Sequence, residues 1–287
     1  MRKEDQVFKL LPKPIQDGLR ELGVLKPTEP QVKTVPLVLS GENVLLVAPT
    51  GSGKTEAILL PIFSRILDQK SRQGISVLYI TPLRALNRDM TKRLSYWAAK
   101  LGLSIQVRHG DTEPKTRRKQ AIHPPDILVT TPETLQAILP GSRMREHLRC
   151  IRFVVVDEIH ELATDKRGVQ LSVAMERLYE AAGKDFQRAG LSATVRNPKE
   201  VAKFVAGTDR PVKIVEVSLL KSYTYTVEYP TPMDSDYSLA EKLKTSPEAT
   251  ARIRHILDRV RQHTSTLIFV NSRTNAEMLG HKFNLLT

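Results

Sequence analysis

The stretch Val44-Leu-Leu-Val-Ala-Pro-Thr-Gly-Ser-Gly-Lys-Thr55 is the strongest indication of the fold of this chain. Its four leading apolar residues predict a strand buried on both faces, and its two glycines predict a tight turn into a helix. Glycines at such a turn let backbone N–H groups curl around phosphate oxygens, and the helix N-terminus adds the positive end of its dipole. Lys54 is placed to reach nucleotide phosphates and Thr55 to hold Mg²⁺ through its hydroxyl. The stretch therefore predicts a phosphate-binding loop, although Ala48 stands where the general motif has a glycine.

A second apolar stretch, Phe153-Val-Val-Val-Asp-Glu-Ile-His160, contains two adjacent acidic residues. Because the carboxyl ends of parallel strands meet at one edge of a sheet, these acids are expected beside the phosphate-binding loop. Asp157 is predicted to hold Mg²⁺ through water, and Glu158 to orient and deprotonate the attacking water. An acidic pair alone is more often a solvated strand end, but the loop upstream favours the catalytic interpretation.

Apolar, β-branched runs alternate with helix-like segments over roughly the first 200 residues. This alternation predicts an α/β fold, in which a parallel sheet is covered by helices. The predicted strands are Val44–Ala48, Val77–Thr81, Ile105–His109, Ile127–Thr130, Phe153–Asp157 and Arg188–Ser192. The predicted helices are 53–69, 83–100, 114–121, 132–139, 169–182 and 197–206.

The pattern changes after residue 207. Two strands outside the alternation are predicted first, and then a linker, because prolines and short polar residues break both periodicities. A helix, another apolar strand and the start of a further helix follow. In chain order these segments are Lys213–Val217, Tyr223–Tyr229, 230–236, 247–263, Thr266–Val270 and the residues after 270.

Composition excludes several classes of protein. The chain has 40% apolar and 26% charged residues, which is typical of globular proteins. It contains no run of about 18 uncharged apolar residues that would cross a bilayer. The N-terminus leads into no apolar signal segment, and the single cysteine, Cys150, fits a reducing compartment. We therefore expect an intracellular, cytoplasmic protein, with association to the nucleoid as one option.

Positive charge is concentrated in one part of the chain. The 44 basic and 31 acidic residues give a net charge of +13. Residues 65–152 hold 17 basic against 7 acidic residues, whereas 1–64 hold 8 against 7 and 153–287 hold 19 against 17. Basic surfaces attract phosphate backbones, so a polyanionic partner is expected near 65–152. A basic surface that only keeps the protein soluble is the alternative.

Several stretches together resemble the motifs of superfamily 2 helicases. The chain resembles the large helicase-related (Lhr) family in particular, a relative of the Ski2-like enzymes, in its Asp-Glu-Ile-His box and in the residues that follow motifs I and III. The resemblance covers essentially the whole chain but only the front part of that family's length. The stretches that resemble motifs I, Ia, Ib, II, III and IV are Ala48–Thr55 with Glu56, Thr81–Leu86, Thr130–Leu135, Asp157–His160, Leu191–Thr194 and Thr266–Arg273.

The resemblance implies a domain organisation. Residues 1–210 would form the first RecA-like ATP-binding helicase lobe, and 211–246 the interdomain strands and linker. Residues 247–287 would be the truncated start of a second RecA-like lobe. About 20 residues after a new buried strand are too few to complete an α/β domain, which supports the last expectation.

The resemblance also implies that ATP and Mg²⁺ are the cofactors. Gln31 matches the upstream glutamine that reads adenine, with a merely polar helix residue as the alternative. Lys54, Asp157 and Glu158 would be catalytic, and Thr55 and Asp157 would hold Mg²⁺. His160, Ser192 and Thr194 would couple nucleotide state to strand binding, although the last two are also common turn caps. The implied ATP-binding residues are Gln31, Pro49, Thr50, Gly51, Ser52, Gly53, Lys54, Thr55 and Glu56.

The basic region contains the motifs that form the nucleic-acid face in this family. Hydroxyls and backbone N–H groups there would grip phosphates, which positions a strand without reading its sequence. The cluster Lys115, Arg117, Arg118 and Lys119 either extends this track or is an exposed helix face. The implied contact residues are Thr81, Pro82, Arg84, Arg108, His109, Thr130, Thr131 and Pro132, with Asn271, Ser272 and Arg273 from motif IV.

The resemblance implies an ATP-dependent helicase that moves 3′→5′ on single-stranded DNA and unwinds DNA or RNA–DNA duplexes in repair or recombination. Its partners would be nucleic acid, with DNA favoured over RNA, together with a second lobe and C-terminal domains outside this chain. No motif V or VI appears, so the chain alone is expected to hydrolyse ATP weakly or not at all. Two alternatives remain: a Ski2-like RNA helicase in RNA processing, and an ATP-gated clamp or scaffold that does not unwind.

Overall fold

The computed structural model describes residues 3–69, 73–82, 88–163, 165–218 and 224–286. The chain divides into two compact units, Met1–Leu220 and Lys221–Thr287. Within the described residues, no helix has the length and apolar character needed to cross a membrane.

Parallel strands form the central sheet of the first unit. The described residues give it seven strands: β1 (Val44–Val47), β2 (Val77–Ile80), β3 (Ile105–Arg108), β4 (Ile127–Thr130), β5 (Phe153–Val156), β6 (Gln187–Ser192) and β7 (Lys213–Glu216). Their order across the sheet is β3-β4-β2-β5-β6-β1-β7. This order places the carboxyl ends of β1, β5 and β6, which carry the predicted motifs, side by side.

Helices connect these strands and cover both faces of the sheet. A 3-10 helix, Lys3–Leu10, opens the described chain. The α-helices are α1 (Lys13–Glu21), α2 (Glu29–Leu39), α3 (Lys54–Leu67), α4 (Arg88–Leu101), α5 (Pro114–Ile122), α6 (Pro132–Ile138), α7 (Ser142–Leu148), α8 (Ile159–Leu162), α9 (Lys166–Ala182) and α10 (Pro198–Ala206).

Two hydrophobic cores hold the unit together, one on each face of the sheet. In β1, Val44 and Leu46 belong to the core formed with α1 to α4, whereas Leu45 and Val47 belong to the core formed with α6, α7, α9 and α10. Side chains of a strand alternate between faces, so an interior strand covered on both sides must be apolar throughout. The predicted α/β parallel sheet and its six strands are therefore confirmed, with ends that differ by at most one residue.

The strand predicted at Lys213–Val217, outside the strand–helix alternation, is present as β7. It belongs to the same sheet, where it pairs in parallel with β1, with Ile214 opposite Leu45. As an edge strand it buries one side chain, Val215, while Lys213 and Glu216 are exposed. An edge strand therefore lacks the continuous apolar run that marks an interior strand. The sheet extends beyond the expected boundary at residue 210, and the two units divide after residue 220.

The second unit, as described, consists of helices α11 (Asp234–Leu243), α12 (Pro247–Arg261) and α13 (Arg273–Asn284). A buried ion pair joins α11 to α12, in which Arg254 donates from Nε and Nη2 to the two carboxylate oxygens of Asp236 at 2.9 and 3.0 Å. Asp236 also accepts the backbone N–H of Met233 at 2.9 Å, which caps α11. The stretch predicted as a linker therefore ends in a helix that starts at Asp234.

Two strands predicted in the second unit were wrong. Residues 224–229 and Thr266–Val270 adopt no strand, whereas Tyr223 lies outside the described residues. Val227 and Phe269 are exposed, although their segments have the alternating or apolar pattern of strands. A strand needs a neighbour that accepts and donates its backbone hydrogen bonds, and neither segment pairs with described residues.

Candidate active site

The glycine-rich loop lies at the carboxyl end of β1 and leads directly into α3. Its first N–H, on Ala48, donates to the carbonyl of Ser192 at 3.1 Å, which joins the loop to the end of β6. Gly51 and Gly53 have φ angles of +73° and +82°, a left-handed conformation that favours glycine. A Cβ on Gly53 would also lie 2.7 Å from the Nε2 of Gln31. Both glycines are therefore required by the shape of the loop.

The other loop residues have the expected placement around the start of α3. Thr50 is exposed, Thr55 and Glu56 are half-buried, and Ser52 is buried. The Oγ of Ser52 donates to the carbonyl of Pro49 at 2.6 Å, which closes the turn. Thr55 lies in the first turn of α3, directly after Lys54.

Lys54 is a buried cation without a hydrogen-bond partner. Its side chain is in the first turn of α3, the residue is 8% exposed, and its Nζ finds no acceptor among the described residues. Burial lowers the pKa of Lys54, and the nearby carboxylates of Glu158 and Asp157 oppose that shift. An unpaired buried ammonium is costly, and phosphate oxygens would supply the missing acceptors. The site therefore fits a nucleotide phosphate.

Asp157 follows β5 and is held at both carboxylate oxygens. Tyr79 donates its hydroxyl hydrogen to Oδ2, and the backbone N–H of Glu158 donates to Oδ1 at 2.8 Å. Burial raises the pKa of Asp157, although these two hydrogen bonds and the charge of Lys54 act in the opposite direction. Oxygen ligands of this kind suit Mg²⁺, so the donor set at Asp157 and Thr55 fits that ion.

Glu158 has a strained backbone and a perturbed carboxyl group. Its φ of +49° lies in the left-handed region, which among the described residues other than glycine is shared only with Lys244. Such strain is often stored at functional sites. Burial and then the neighbouring charge of Asp157 raise the pKa of Glu158. A carboxylate with a raised pKa beside the phosphate-binding loop has the properties of a general base.

The three predicted coupling residues form a continuous chain of contacts that begins at Glu158. The Nδ1 of His160 lies 3.4 Å from the Oε2 of Glu158 and 3.2 Å from the Oγ of Ser192. Ser192 in turn donates to the carbonyl of Thr194 at 3.1 Å. The end of β6 is therefore physically connected to the acidic pair, while the coupling role itself stays a prediction.

Gln31 is located beside the loop, in the first turn of α2. It is 3% exposed; its Oε1 accepts the backbone N–H of Thr28 at 3.0 Å and its Nε2 donates to the carbonyl of Gly53 at 3.5 Å. The amide is thus engaged with the loop on one side. Its predicted contact with adenine remains a prediction.

Candidate nucleic-acid contacts of the first unit follow the ends of β2, β3 and β4. Thr81 is fully buried, and its hydroxyl has no partner among the described residues. The hydroxyls of Thr130 and Thr131 are instead used within the chain: Thr130 donates to the carbonyl of Arg108 at 2.9 Å, and Thr131 caps α6.

The other candidate contacts of these motifs are two prolines and an arginine. Pro82 directly follows Thr81, and Pro132 opens α6, where it is buried. Arg84 lies outside the described residues.

Arg108 and His109 continue from the end of β3, next to Thr130. The Nη1 of Arg108 is buried and finds no acceptor in the described parts of the chain. Burial lowers the pKa of Arg108, and the neighbouring charge of Arg117 adds to the shift. His109 lies near Asp111, with 3.7 Å between Nδ1 and Oδ2. Arg108 thus keeps a buried donor without an acceptor among the described residues at the carboxyl end of β3.

The candidates from motif IV lie in the second unit, at the start of α13. Ser272 caps that helix by accepting the backbone N–H of Asn275 at 3.1 Å. Arg273 pairs with Glu277 at 2.9 Å, and Asn271 is exposed. These contacts are local to the helix and do not by themselves indicate a ligand.

Two residues near the site were not singled out from the sequence. Tyr79 contacts Asp157 as described above, and Arg93 of α4 pairs with Glu56 at 2.6 Å. A tyrosine within the otherwise aliphatic run Val77–Ile80 is the signal that points to the first of these. Nothing in the sequence around Arg93 distinguishes it from an ordinary helix-surface arginine.

Comparison with known proteins places the chain among helicases. Residues 28–201 match the model of the DEAD/DEAH box helicase family. The chain is 39% identical over 272 residues to the "Lhr helicase/ probable uracil glycosylase" of Mycolicibacterium smegmatis. This alignment covers 90% of this chain and 18% of that protein. It is 36% identical over 300 residues to the "ATP-dependent helicase Lhr-Core protein 2" of Thermococcus barophilus. This second alignment covers 97% of this chain and 34% of that protein.

A solved structure agrees with these sequence relatives. The Mycobacterium smegmatis helicase Lhr, bound to ssDNA and AMP-PNP, superposes on 98% of this chain and 36% of its own chain, with a TM-score of 0.79 and 34% identity. The resemblance to Lhr helicases inferred from the motifs is confirmed. The chain spans about a third or less of the length of these relatives.

Proposed function

The chain belongs to the DEAD/DEAH box helicase family, and from that premise we propose that it is the ATP- and nucleic-acid-binding front part of an Lhr-type helicase. The observation that carries the proposal is the buried Nζ of Lys54, which has no acceptor among the described residues. The charges of Glu158 and Asp157 act on this group and oppose the lowering of its pKa by burial. A buried cation at the start of a helix, opposite two acids, suits a triphosphate with its metal ion.

Nucleotide binding is assigned to the loop between β1 and α3. Backbone N–H groups around Gly51 and Gly53 hold phosphate oxygens, and Lys54 supplies a charge to the β- and γ-phosphates. Thr55 and Asp157 hold Mg²⁺, which neutralises charge on the phosphates when it is bound. The position of Gln31 beside Gly53 supports a place for adenine next to the loop.

Hydrolysis is assigned to Glu158, which orients a water molecule toward the γ-phosphate and accepts its proton. Its raised pKa supports this role, because a base with a pKa nearer to neutral pH accepts a proton more readily. The contacts from Glu158 through His160 to Ser192 and Thr194 support a route by which the state of the nucleotide alters the end of β6.

The partner at the ends of β2 to β4 is the phosphate backbone of a nucleic acid. The excess of basic residues over 65–152 supports this assignment, together with the position of Arg108 at the carboxyl end of β3. Single-stranded DNA is favoured, since a similar helicase was solved with ssDNA. From the resemblance of its motifs to the Lhr family, we propose that the whole protein moves 3′→5′, unwinds DNA or RNA–DNA duplexes in repair or recombination, and acts in the cytoplasm with a second RecA-like lobe.

Two alternatives predict different behaviour from the full-length protein. A Ski2-like RNA helicase would hydrolyse ATP faster with RNA than with a matched DNA strand, whereas the proposed enzyme responds more strongly to DNA. An ATP-gated clamp would bind strands without displacing a complementary one. Strand displacement by the full-length protein therefore separates the clamp from the two helicases, and stimulation of its ATPase by matched DNA and RNA strands separates the two helicases from each other.

The assignment of the nucleotide site is tested by Lys54→Ala. We expect this variant to lose measurable Mg·ATP binding in calorimetry, because the neutral side chain no longer offsets the phosphate charge. Lys13→Ala is the matched control, since Lys13 is an exposed lysine of α1 whose ion pair with Asp17 lies on the surface. Unchanged ATP affinity in the Lys54 variant would refute the nucleotide assignment.

A further inference from the structure

Tyr79 is the largest side chain of β2 and is completely buried. The other three residues of this strand are aliphatic, and an aliphatic side chain would pack there without a polar atom to satisfy. A buried tyrosine needs an acceptor for its hydroxyl hydrogen, and here that acceptor is the Oδ2 of Asp157. The hydroxyl therefore has a specific partner, which lies in the nucleotide site.

The sheet register explains why Tyr79 reaches this carboxylate. β2 and β5 are hydrogen-bonded neighbours, and Tyr79 is aligned with Val155. Side chains two residues apart on a strand point to the same face, so Asp157 projects from the face that Tyr79 also occupies. The long phenol ring spans the distance along β5 that separates Val155 from the carboxylate.

The two oxygens of Asp157 are each held by one donor. Tyr79 occupies one acceptor position of Oδ2, and the N–H of Glu158 occupies one of Oδ1. An ionised carboxylate has about four acceptor positions, so positions remain on both oxygens. Donors on both sides prevent the carboxylate from rotating, and this leaves the free positions pointing in a fixed direction.

From this geometry we infer that Tyr79 is a positioning residue of the nucleotide site, which orients the Asp157 carboxylate for a hydrated Mg²⁺ ion. The inference rests on the proposed function, because it assumes that Asp157 serves Mg·ATP. Tyr79 does not touch the nucleotide or the ion and acts only through Asp157. Groups that orient a metal-binding side chain in this way commonly change metal affinity about 10- to 100-fold when they are removed.

Tyr79→Phe tests the inference, since phenylalanine fills the same space and lacks only the hydroxyl. A fluorescent, non-hydrolysable ATP analogue is bound to the chain while the Mg²⁺ concentration is varied. We expect the Mg²⁺ concentration for half-maximal binding to rise about tenfold in the variant. Binding measured in EDTA should be unchanged, which also shows that the variant is folded.

Tyr96→Phe is the matched control. The hydroxyl of Tyr96 also contacts a carboxylate, Glu21 Oε2 at 3.0 Å, and the carbonyl of Gly18 at 3.0 Å, where α4 meets α1. Its removal should leave the Mg²⁺ titration unchanged. A shift of equal size in both variants would overturn the inference, because loss of packing or stability would then explain it.

A second comparison asks whether Tyr79 acts through Asp157. In the background of Asp157→Ala, the Tyr79→Phe change should have no further effect on the Mg²⁺ titration. A tenfold shift that persists in this background would overturn the inference, as would a Tyr79→Phe titration identical to that of the unchanged chain. If the unchanged chain binds no nucleotide at all, the proposed function fails and this inference fails with it.

Discussion

Glu158 combines a left-handed backbone with a carboxyl group whose pKa is raised, first by burial and then by the charge of Asp157. The backbone conformation and the raised pKa both follow from the position of Glu158 in the chain. The residue follows a buried strand and precedes the short helix α8, so the chain must turn sharply where the carboxylate enters the site. The strained turn holds the half-buried acid close enough to Lys54 for its charge to affect the pKa of that lysine.

Glu158→Gln should preserve Mg·ATP binding and lower the rate of hydrolysis about 100-fold or more, because the amide cannot accept a proton. The raised pKa of Glu158 means that protonation removes the base at a higher pH than for an ordinary glutamate. The rate of the unchanged chain should therefore fall as the pH is lowered through that pKa, and the variant should lose this dependence.

Single-turnover hydrolysis with excess protein measures both effects even if turnover is slow. Glu180→Gln is the control, since Glu180 is an exposed glutamate of α9 whose charge is not among those that shift the pKa of Glu158. Hydrolysis at the normal rate in the Glu158 variant would exclude this residue as the base.

Some residues of the candidate site were predicted from the sequence and others were not. The loop and the acidic pair were predictable because each motif is local and lies at a strand end. Tyr79 was not, because its contact depends on β2 lying next to β5, and no local pattern specifies which strands are neighbours. The contact of Gln31 with Gly53 depends in the same way on the packing of α2 against α3.

At the scale of elements, every strand of the sheet was predicted to within one residue, including the edge strands β3 and β7, but the place of β7 in the sheet was not. Interior strands are apolar throughout because both faces are covered, whereas β7 buries one residue in four. Thr266–Val270 has the apolar pattern of an interior strand but pairs with no described strand and is largely exposed. An apolar or alternating pattern therefore predicts that a segment can form a strand. It does not predict whether a neighbouring strand is present to pair with it.

Helices α8 and α9 meet at a close backbone contact that supports the active site. A Cβ on Gly168 of α9 would lie 2.2 Å from the carbonyl oxygen of Leu162, the last residue of α8. Backbone atoms cannot move aside as a flexible side chain can. Because α8 starts directly after Glu158, any movement of α8 also displaces the acidic pair.

Gly168→Ala should therefore lower the free energy of unfolding by about 1–3 kcal/mol and reduce the rate of hydrolysis, because the added methyl group pushes α8 away from α9. Chemical denaturation followed by circular dichroism measures the stability. Gly280→Ala is the control: no atom lies within 4 Å of a Cβ on Gly280 in α13, so stability should rise slightly through helix propensity. A stable and active Gly168 variant would show that the two helices separate at little cost.

At the scale of the whole molecule, the net charge of +13 is distributed unevenly along the chain. Residues 65–152 hold 17 basic against 7 acidic residues, although some of the basic ones, such as Arg93 and Lys100, pair with carboxylates. Lys115, Arg118 and Lys119 on α5 have no ion pair with any residue in the described ranges. The positive field should therefore be strongest around residues 65–152, where the nucleic-acid contacts are proposed.

Affinity for single-stranded DNA should accordingly fall steeply as salt is raised, because each phosphate that the protein binds releases condensed counterions. Replacing Arg84 and Arg108 together by alanine should weaken binding and reduce the slope of log K against log salt by about 0.7 for each phosphate that is no longer bound. Arg84 was predicted from motif Ia alone, so the pair also tests the placement of that motif.

Arg20→Ala with Lys203→Ala is the control for this charge change, because it removes the same net charge from exposed residues of α1 and α10. If affinity depended on total charge alone, both double variants would weaken binding equally. If the strand follows the ends of β2 and β3, the first pair should lose affinity at every salt concentration and the control pair should stay close to the unchanged chain. Fluorescence anisotropy with a labelled oligonucleotide at several salt concentrations distinguishes the two, and a salt-insensitive isotherm would contradict both.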